Sequence, residues 1–344
     1  MKIDMFAHIT TERYMKASAK YASSTAMSNK IVKGQPTLWN LEERFRIMDR
    51  FEGYRQVLSM VGQPIETVAG GKDALELAKI SNDEVANLVA KHPNHFLCGI
   101  ANLPLNDTDA SLKELDRAVN ELKLKGLFIH TPLYFYHAKV KPPAGGKGLD
   151  APELFPVYEA MANYGLPILI HPNALWDLNN PDYTSEKVAK YMGWQIFGWV
   201  YQDTLAQVRL VFSGILEKLP NLVFINHHAG AMVPFFTSRI TTQCNMHEMR
   251  GGHDIKKGLS KTPLEYFRMF YSDTAVSGCT PALMCAYAFY GAERMVFGTD
   301  MPFDMEMGEE AIRETIRSVE EMDITAEEKT AIYEGNAKKL LHFG

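Results

Sequence analysis

Cysteine is scarce in this chain. There are four, Cys98, Cys244, Cys279 and Cys285, and none forms a C-x-x-C pair. That spacing excludes a cysteine-based structural zinc site or a dithiol redox motif, and free thiols are expected. Cys98, inside the run HFLCGIANL, reads as a small buried hydrophobe. There is no excess of basic residues: 36 Lys and Arg stand against 41 Asp and Glu, with a net charge of -5 and no basic cluster. A nucleic-acid partner is therefore not expected. No apolar run is long enough to span a bilayer. The first residues lack the basic start, apolar stretch and small-residue cleavage site of a secretory leader, so a cytoplasmic protein with no membrane partner is expected. Internal repeats, low-complexity tracts and linkers are also missing. The 344 residues, 46% hydrophobic and 22% charged, are expected to form one domain over 1–344.

What the chain does contain is a series of short apolar runs. Eight read as strands: Lys2–His8, Gln56–Val61, His95–Leu103, Gly126–His130, Pro167–His171, Leu222–His227, Met269–Thr274 and Arg294–Asp300. Most are rich in Ile, Val, Leu and Phe and do not alternate cleanly. Continuous apolar runs suit strands buried on both faces, as in a parallel sheet.

Helical patterns separate the runs. They cover Leu41–Phe51, Asp73–His92, Asp109–Leu122, Pro152–Tyr164, Thr204–Leu219, Val233–Met246, Pro281–Tyr290, Glu309–Met322 and Ala326–Leu341. Asn106-Asp107 is a capping turn for the third, and Thr325-x-x-Glu328 is a capping box for the last. Strand and helix alternate along the whole length. The expected fold is α/β, a (β/α)8 TIM barrel with long βα loops and a C-terminal helix. Two long segments, Ala7–Leu38 and His130–Asp150, follow strands on the face where such barrels build pockets.

Three of the runs stop at a metal-ligating side chain: His8 after KIDMFA, His171 after LPILI, and Asp300 after ERMVFGT. In a parallel barrel the carboxyl ends of the strands carry the active site. A neutral imidazole or a carboxylate at the end of an apolar run needs a partner. Two imidazoles and a carboxylate converging there form a candidate divalent-metal site. Of the eleven histidines, His8, His130, His171, His227 and His228 lie at or just beyond strand ends. The other six lie in helix or loop contexts and are read as solvated or locally hydrogen-bonded. Asp273, ending the seventh run, reads equally as an orienting partner for a histidine or water and as a cap for the next helix. Asn173, after His171-Pro172, is a candidate pocket residue by position alone. Tyr134, Phe135, Tyr136, Trp176 and Trp194 lie in long segments beyond strand ends and can wall a flat substrate, with ordinary packing as the alternative for each.

The motifs IDMFAH, RFRIMD, LPILIHP, INHHAGAMVP, FYSDTA, FGTDMPF and NAKKLL occur in this order across nearly the whole chain. In these it resembles the amidohydrolase superfamily, in the branch of aminocarboxymuconate-semialdehyde decarboxylase and related metal-dependent decarboxylases. The resemblance implies that His8 is the second member of the strand-one ligand pair, His171 the strand-five ligand, and Asp300 the strand-eight aspartate that binds metal and handles a proton. It implies that His228, with Gly230 and Pro234, fills the strand-six pattern and is the catalytic histidine. His227 stands where relatives usually have a small residue. Arg44 and Arg239 match arginines that bind substrate carboxylate. The second comes from a neighbouring subunit in relatives, which implies a homodimer. One motif departs from the pattern: strand one usually reads His-x-His or Glu-x-His, and here it reads Phe6-Ala7-His8. The implied centre is therefore His8, His171 and Asp300 around one divalent ion, zinc first and manganese second.

The leading expectation is a metal-dependent non-oxidative decarboxylase acting on a small aromatic or unsaturated carboxylic acid. Hydrolysis of a lactone, amide or related acyl substrate by the same centre is the alternative. A barrel that binds a small acid without catalysis is a third reading, motivated by Phe6.

Overall fold

A computed structural model of the chain describes residues 1–21, 32–135, 146–173, 185, 190–251, 255 and 257–343. Among the described residues, seven parallel strands follow one another around a barrel: β1 (Lys2–Ile9), β2 (Tyr54–Met60), β3 (Phe96–Ile100), β4 (Leu127–Thr131), β5 (Ile168–Pro172), β6 (Phe224–Asn226) and β7 (Tyr271–Ser272). β1 to β3 form one ladder and β4 to β7 another. Single bridges join the two. The Phe128 amide donates to the Ala101 carbonyl, linking β3 to β4.

The eighth run forms no extended ladder but occupies the eighth position. The Val296 amide donates to Ser272, while Met5 and His8 donate to the carbonyls of Phe297 and Met301. The segment 295–301 thus closes the barrel between β7 and β1. The strands are short at this side because the chain turns sharply after β6. His228, Ala229, Gly230 and Ala231 all have positive φ, which no ladder can continue. Gly230 is required there: a Cβ would fall 2.5 Å from the Tyr290 ring.

The barrel interior is filled by Ile3, Met5, Val57, Phe128, Leu169, Ile225 and Val296, all at most 2% exposed, so it is a packed core rather than a pore. Ala337, Leu340 and Leu341 of the C-terminal helix pack into the same cluster. Cys98 joins it as a free thiol, and burial pushes its pKa up to about 12. A second, larger cluster lies between the strands and the surrounding helices.

Local signals account for several helix starts. Asn40 caps Leu41–Met48 by accepting from Glu42 and Glu43, Asp107 caps Thr108–Asn120, and Thr325 with Glu328 forms the expected capping box. Two expected boundaries move. The helix expected over Thr204–Leu219 runs over Trp199–Phe212, preceded by a wide turn at Trp194–Gly198, and breaks at Gly214, where φ is +74. The helix expected from Val233 begins at Thr237, because the left-handed turns after β6 take up the intervening residues. The long segment after β1 contains a helix, Glu12–Ser18, capped by Thr11. No helix among the described residues is long and apolar enough to cross a membrane.

Candidate metal centre

His8, His171, His227 and Asp300 stand together at the carboxyl end of the barrel, with their ligand-type atoms all within 4.8 Å of one another. Asp300 Oδ1 is the common point. It lies 3.0 Å from His8 Nε2, 3.4 Å from His227 Nε2 and 3.9 Å from His171 Nε2. The structure therefore joins the three residues expected from strand ends and adds His227, a strand-end histidine to which the family pattern assigns no role. A signal for it existed in the doubled histidine at the end of a strand in a chain whose first strand lacks a ligand.

Each imidazole is oriented by its Nδ1. His171 Nδ1 is 2.7 Å from the Pro172 carbonyl. A carbonyl only accepts, so Nδ1 carries the proton and Nε2 keeps its lone pair. His8 Nδ1 is 2.9 Å from the Ser59 hydroxyl, placed by the parallel pairing of β1 with β2. His227 Nδ1 forms a short ion-pair contact with the Asp273 carboxylate. The other Asp273 oxygen accepts from the amides of Ala229 and Ala275 at 2.9 and 3.1 Å. Asp273 thus orients a histidine. It does not cap the next helix, which starts at Thr280. Gly298 permits this packing, since a Cβ there would meet Asp273 Cβ at 3.1 Å and the Phe6 ring at 3.3 Å.

Three of the converging atoms, His8 Nε2, His227 Nε2 and Asp300 Oδ1, are buried without a hydrogen-bond partner. Leaving such atoms unpaired costs about 1–3 kcal/mol each. A divalent cation satisfies all of them at once, so this residue set fits a metal ion. His8 and His227 are fully sealed, whereas the side chains of His171, His228 and Asp300 are 11%, 19% and 29% exposed. The centre opens on the side of these last three. Since Oδ1 is buried, the accessible part of the Asp300 carboxyl lies away from the imidazoles.

The charges follow from burial and proximity. Burial lowers His8 to about 4, only partly offset by Asp300. Burial would also lower His227, but Asp273 and Asp300 outweigh it and raise this imidazole well above the ordinary value. Burial alone would raise Asp300, but the three imidazoles hold it well below the usual carboxylate range. Asp300 adopts φ +63, a strained conformation for a non-glycine residue and one that clusters at functional sites.

His228 sits beside this group. Its ring centroid is 3.9 Å from that of His227, and its Nδ1 is 3.0 Å from Asp203 Oδ2. Burial, followed by the neighbouring His227, lowers its pKa to about 3, and burial raises Asp203 well above the carboxylate range. His130, paired in register with His171, faces the same end, and its ring is 5.8 Å from His171.

The remaining expected site residues divide. Asn173 is buried, its amide nitrogen bound to the Pro132 carbonyl and its Oδ1 unpaired. Trp194 is half-buried at the turn before Trp199–Phe212, its ring over Gly198, where a Cβ would fall 2.1 Å away. Arg239 is exposed on the helix Thr237–Met249. Arg44, expected as a substrate fork, has its Nη2 buried without a partner and its other nitrogens engaged within the protein. It is fully buried, with Nε on Gln56 and Nη1 on the carbonyls of His8 and Thr37 at 2.8 and 2.9 Å. It clamps the end of β1 from behind. Tyr134 is buried, and Phe135 lies under Lys147, as ordinary packing provides. Tyr136 and Trp176 lie outside the described residues.

Comparison with known proteins agrees with this architecture. The chain is 28% identical to a 2-amino-3-carboxymuconate-6-semialdehyde decarboxylase of Dictyostelium discoideum, over 99% of this chain and 91% of that protein. It is 26% identical to a gamma-resorcylate decarboxylase of a Rhizobium species, over 76% and 77% of the two chains. The crystal structure of a dihydroxybenzoic acid decarboxylase from a Polaromonas species, with bound manganese and the inhibitor 2-nitroresorcinol, superposes with a TM-score of 0.75. It is 25% identical and covers 99% of this chain and 96% of its own. The Amidohydrolase family model matches residues 3–343. The chain belongs to the amidohydrolase family.

Proposed function

We propose that this protein is a metal-dependent non-oxidative decarboxylase of a small aromatic or unsaturated carboxylic acid. The observation that carries the proposal is the convergence of unpaired imidazole nitrogens on Asp300 Oδ1 at the open end of the barrel. Its relatives by sequence include decarboxylases of a carboxymuconate semialdehyde and of a resorcylate.

In this reading His8, His171 and Asp300 hold one divalent ion. When bound, the ion supplies Lewis acidity toward a substrate oxygen beside the scissile carbon. Imidazole nitrogens with a carboxylate oxygen suit zinc, and manganese is its competitor because a related structure contains it. The carboxylate leaves as carbon dioxide, and the carbon that carried it takes up one proton.

His228 delivers that proton. Its ring is partly exposed to the pocket, and its Nδ1 is 3.0 Å from Asp203 Oδ2. Burial favours the protonated Asp203 carboxyl, which donates to Nδ1 and replaces through the ring the proton that Nε2 gives to carbon. Asn173 Oδ1 and the ring of Trp194 are the wall groups we assign to substrate.

Arg239 takes the substrate carboxylate from across a homodimer interface. The support is its exposure and that of Phe235 four residues before it, which is 77% exposed. Exposed apolar groups of this size mark association surfaces.

The test incubates metal-loaded protein in deuterium oxide with 2,6-dihydroxybenzoate, other ortho-hydroxybenzoates and carboxymuconate semialdehydes. Carbon dioxide release with one solvent deuteron on the product carbon is expected. Hydrolysis of lactones or amides with oxygen-18 uptake from water, and no decarboxylation, would overturn the proposal.

A further inference from the structure

By the strand-one pattern of the family the chain resembles, position 6 is that of a metal ligand, and the phenyl ring of Phe6 cannot coordinate. Its ring lies face to face with His227, centroids 4.3 Å apart and planes 10° from parallel. We propose that His227 supplies the coordination position that Phe6 vacates, so that β6 rather than β1 completes the centre. The inference rests on the metal-binding reading above and extends it to a ligand set of His8, His171, His227 and Asp300.

Three observations carry it. His227 Nε2 is sealed from solvent, has no hydrogen-bond partner, and lies 3.4 Å from the Asp300 oxygen that the other two imidazoles also face. Its Nδ1 is held by Asp273, whose second oxygen is fixed by two backbone amides. A carboxylate behind an imidazole is the arrangement that fixes a ligating histidine and strengthens it as a donor. The ring is also held by stacking: Phe6 lies against it at 4.3 Å, and His171 lies near-parallel at 5.0 Å with planes 26° apart. Phe6 therefore acts as an apolar buttress that sets the plane of the substitute ligand. A purely structural role, with His227 held as a cation by Asp273 at Nδ1 and by Asp300 3.4 Å from Nε2, predicts no coordination by this ring, and the experiment below separates the two.

The test begins with the unaltered protein loaded with zinc, examined by X-ray absorption spectroscopy. Three coordinated imidazoles are expected, and two would overturn the inference while leaving the metal reading standing. Chelator competition then measures affinity. His227→Ala is expected to weaken zinc binding at least about 100-fold, and Asp273→Asn about 10–100-fold. The double variant Phe6→His with His227→Ala is expected to recover at least about tenfold of the loss, by restoring a ligand on β1. Unchanged affinity in a folded His227→Ala protein would overturn the inference. If the unaltered protein takes up no divalent metal, the metal reading fails, and this inference with it.

Discussion

Glu66 follows β2 in the short helix Ile65–Val68, yet its side chain is 3% exposed and its Oε1 has no hydrogen-bond partner. Burial raises its pKa from 4.5 to about 7. The folded protein therefore holds a proton on Glu66 that the unfolded chain releases between these two values. Where the folded state binds more protons, stability falls as pH rises. The loss begins near pH 4.5 and is complete above about pH 7. At about 1.4 kcal/mol per pH unit, the charged form is destabilising by about 3 kcal/mol. Glu66→Gln keeps the shape and polarity of the neutral acid and removes the titration. The variant should match the parent at pH 4 and exceed it by about 3 kcal/mol at pH 8. Urea unfolding at a series of pH values measures this, because every other titrating group is common to both proteins and cancels. Parallel stability curves for the two proteins would refute the reasoning, since Glu66 would then titrate alike in both states.

Other outcomes follow from the site. His228→Ala should lower kcat about 10²–10⁴-fold while metal content, measured by mass spectrometry, stays at the parental value. Loss of the ion in that variant would make His228 a ligand instead. Asp300→Ala should abolish retention of one divalent ion per chain after dialysis, since Oδ1 is the point on which three imidazoles converge. Arg44→Met should destabilise the fold by about 3–5 kcal/mol, because the carbonyls of His8 and Thr37 lose their donor. Saturation kinetics of the surviving folded fraction should show an unchanged KM. A large KM increase there would return Arg44 to the role of carboxylate binder.

Much of the barrel is legible in the sequence because its signals are local. An apolar run reports a strand buried on both faces, and a capping residue reports a helix start, as at Asn40, Asp107 and Thr325. The misplaced boundaries have local geometry of another kind. Left-handed turns at His228 to Ala231 delay the helix that follows β6, and no hydrophobic period announces them. The eighth run is visible as an apolar segment, but its place depends on amides of Met5 and His8 nearly 300 residues away in sequence.

The site divides in the same way. The residues alone show that His8, His171 and Asp300 close apolar runs, and such ends share one face once the runs lie parallel in a barrel. Only the tertiary structure decided where neighbouring side chains turn. It sent Arg44 inward to bind backbone carbonyls, where the sequence pattern suggested a substrate contact. It joined Asp273 to His227, the residues that directly follow β7 and β6. It also brought His227 to the metal-ligating cluster and laid Phe6 against it. These outcomes depend on through-space contacts between strands, and no segment read alone contains them.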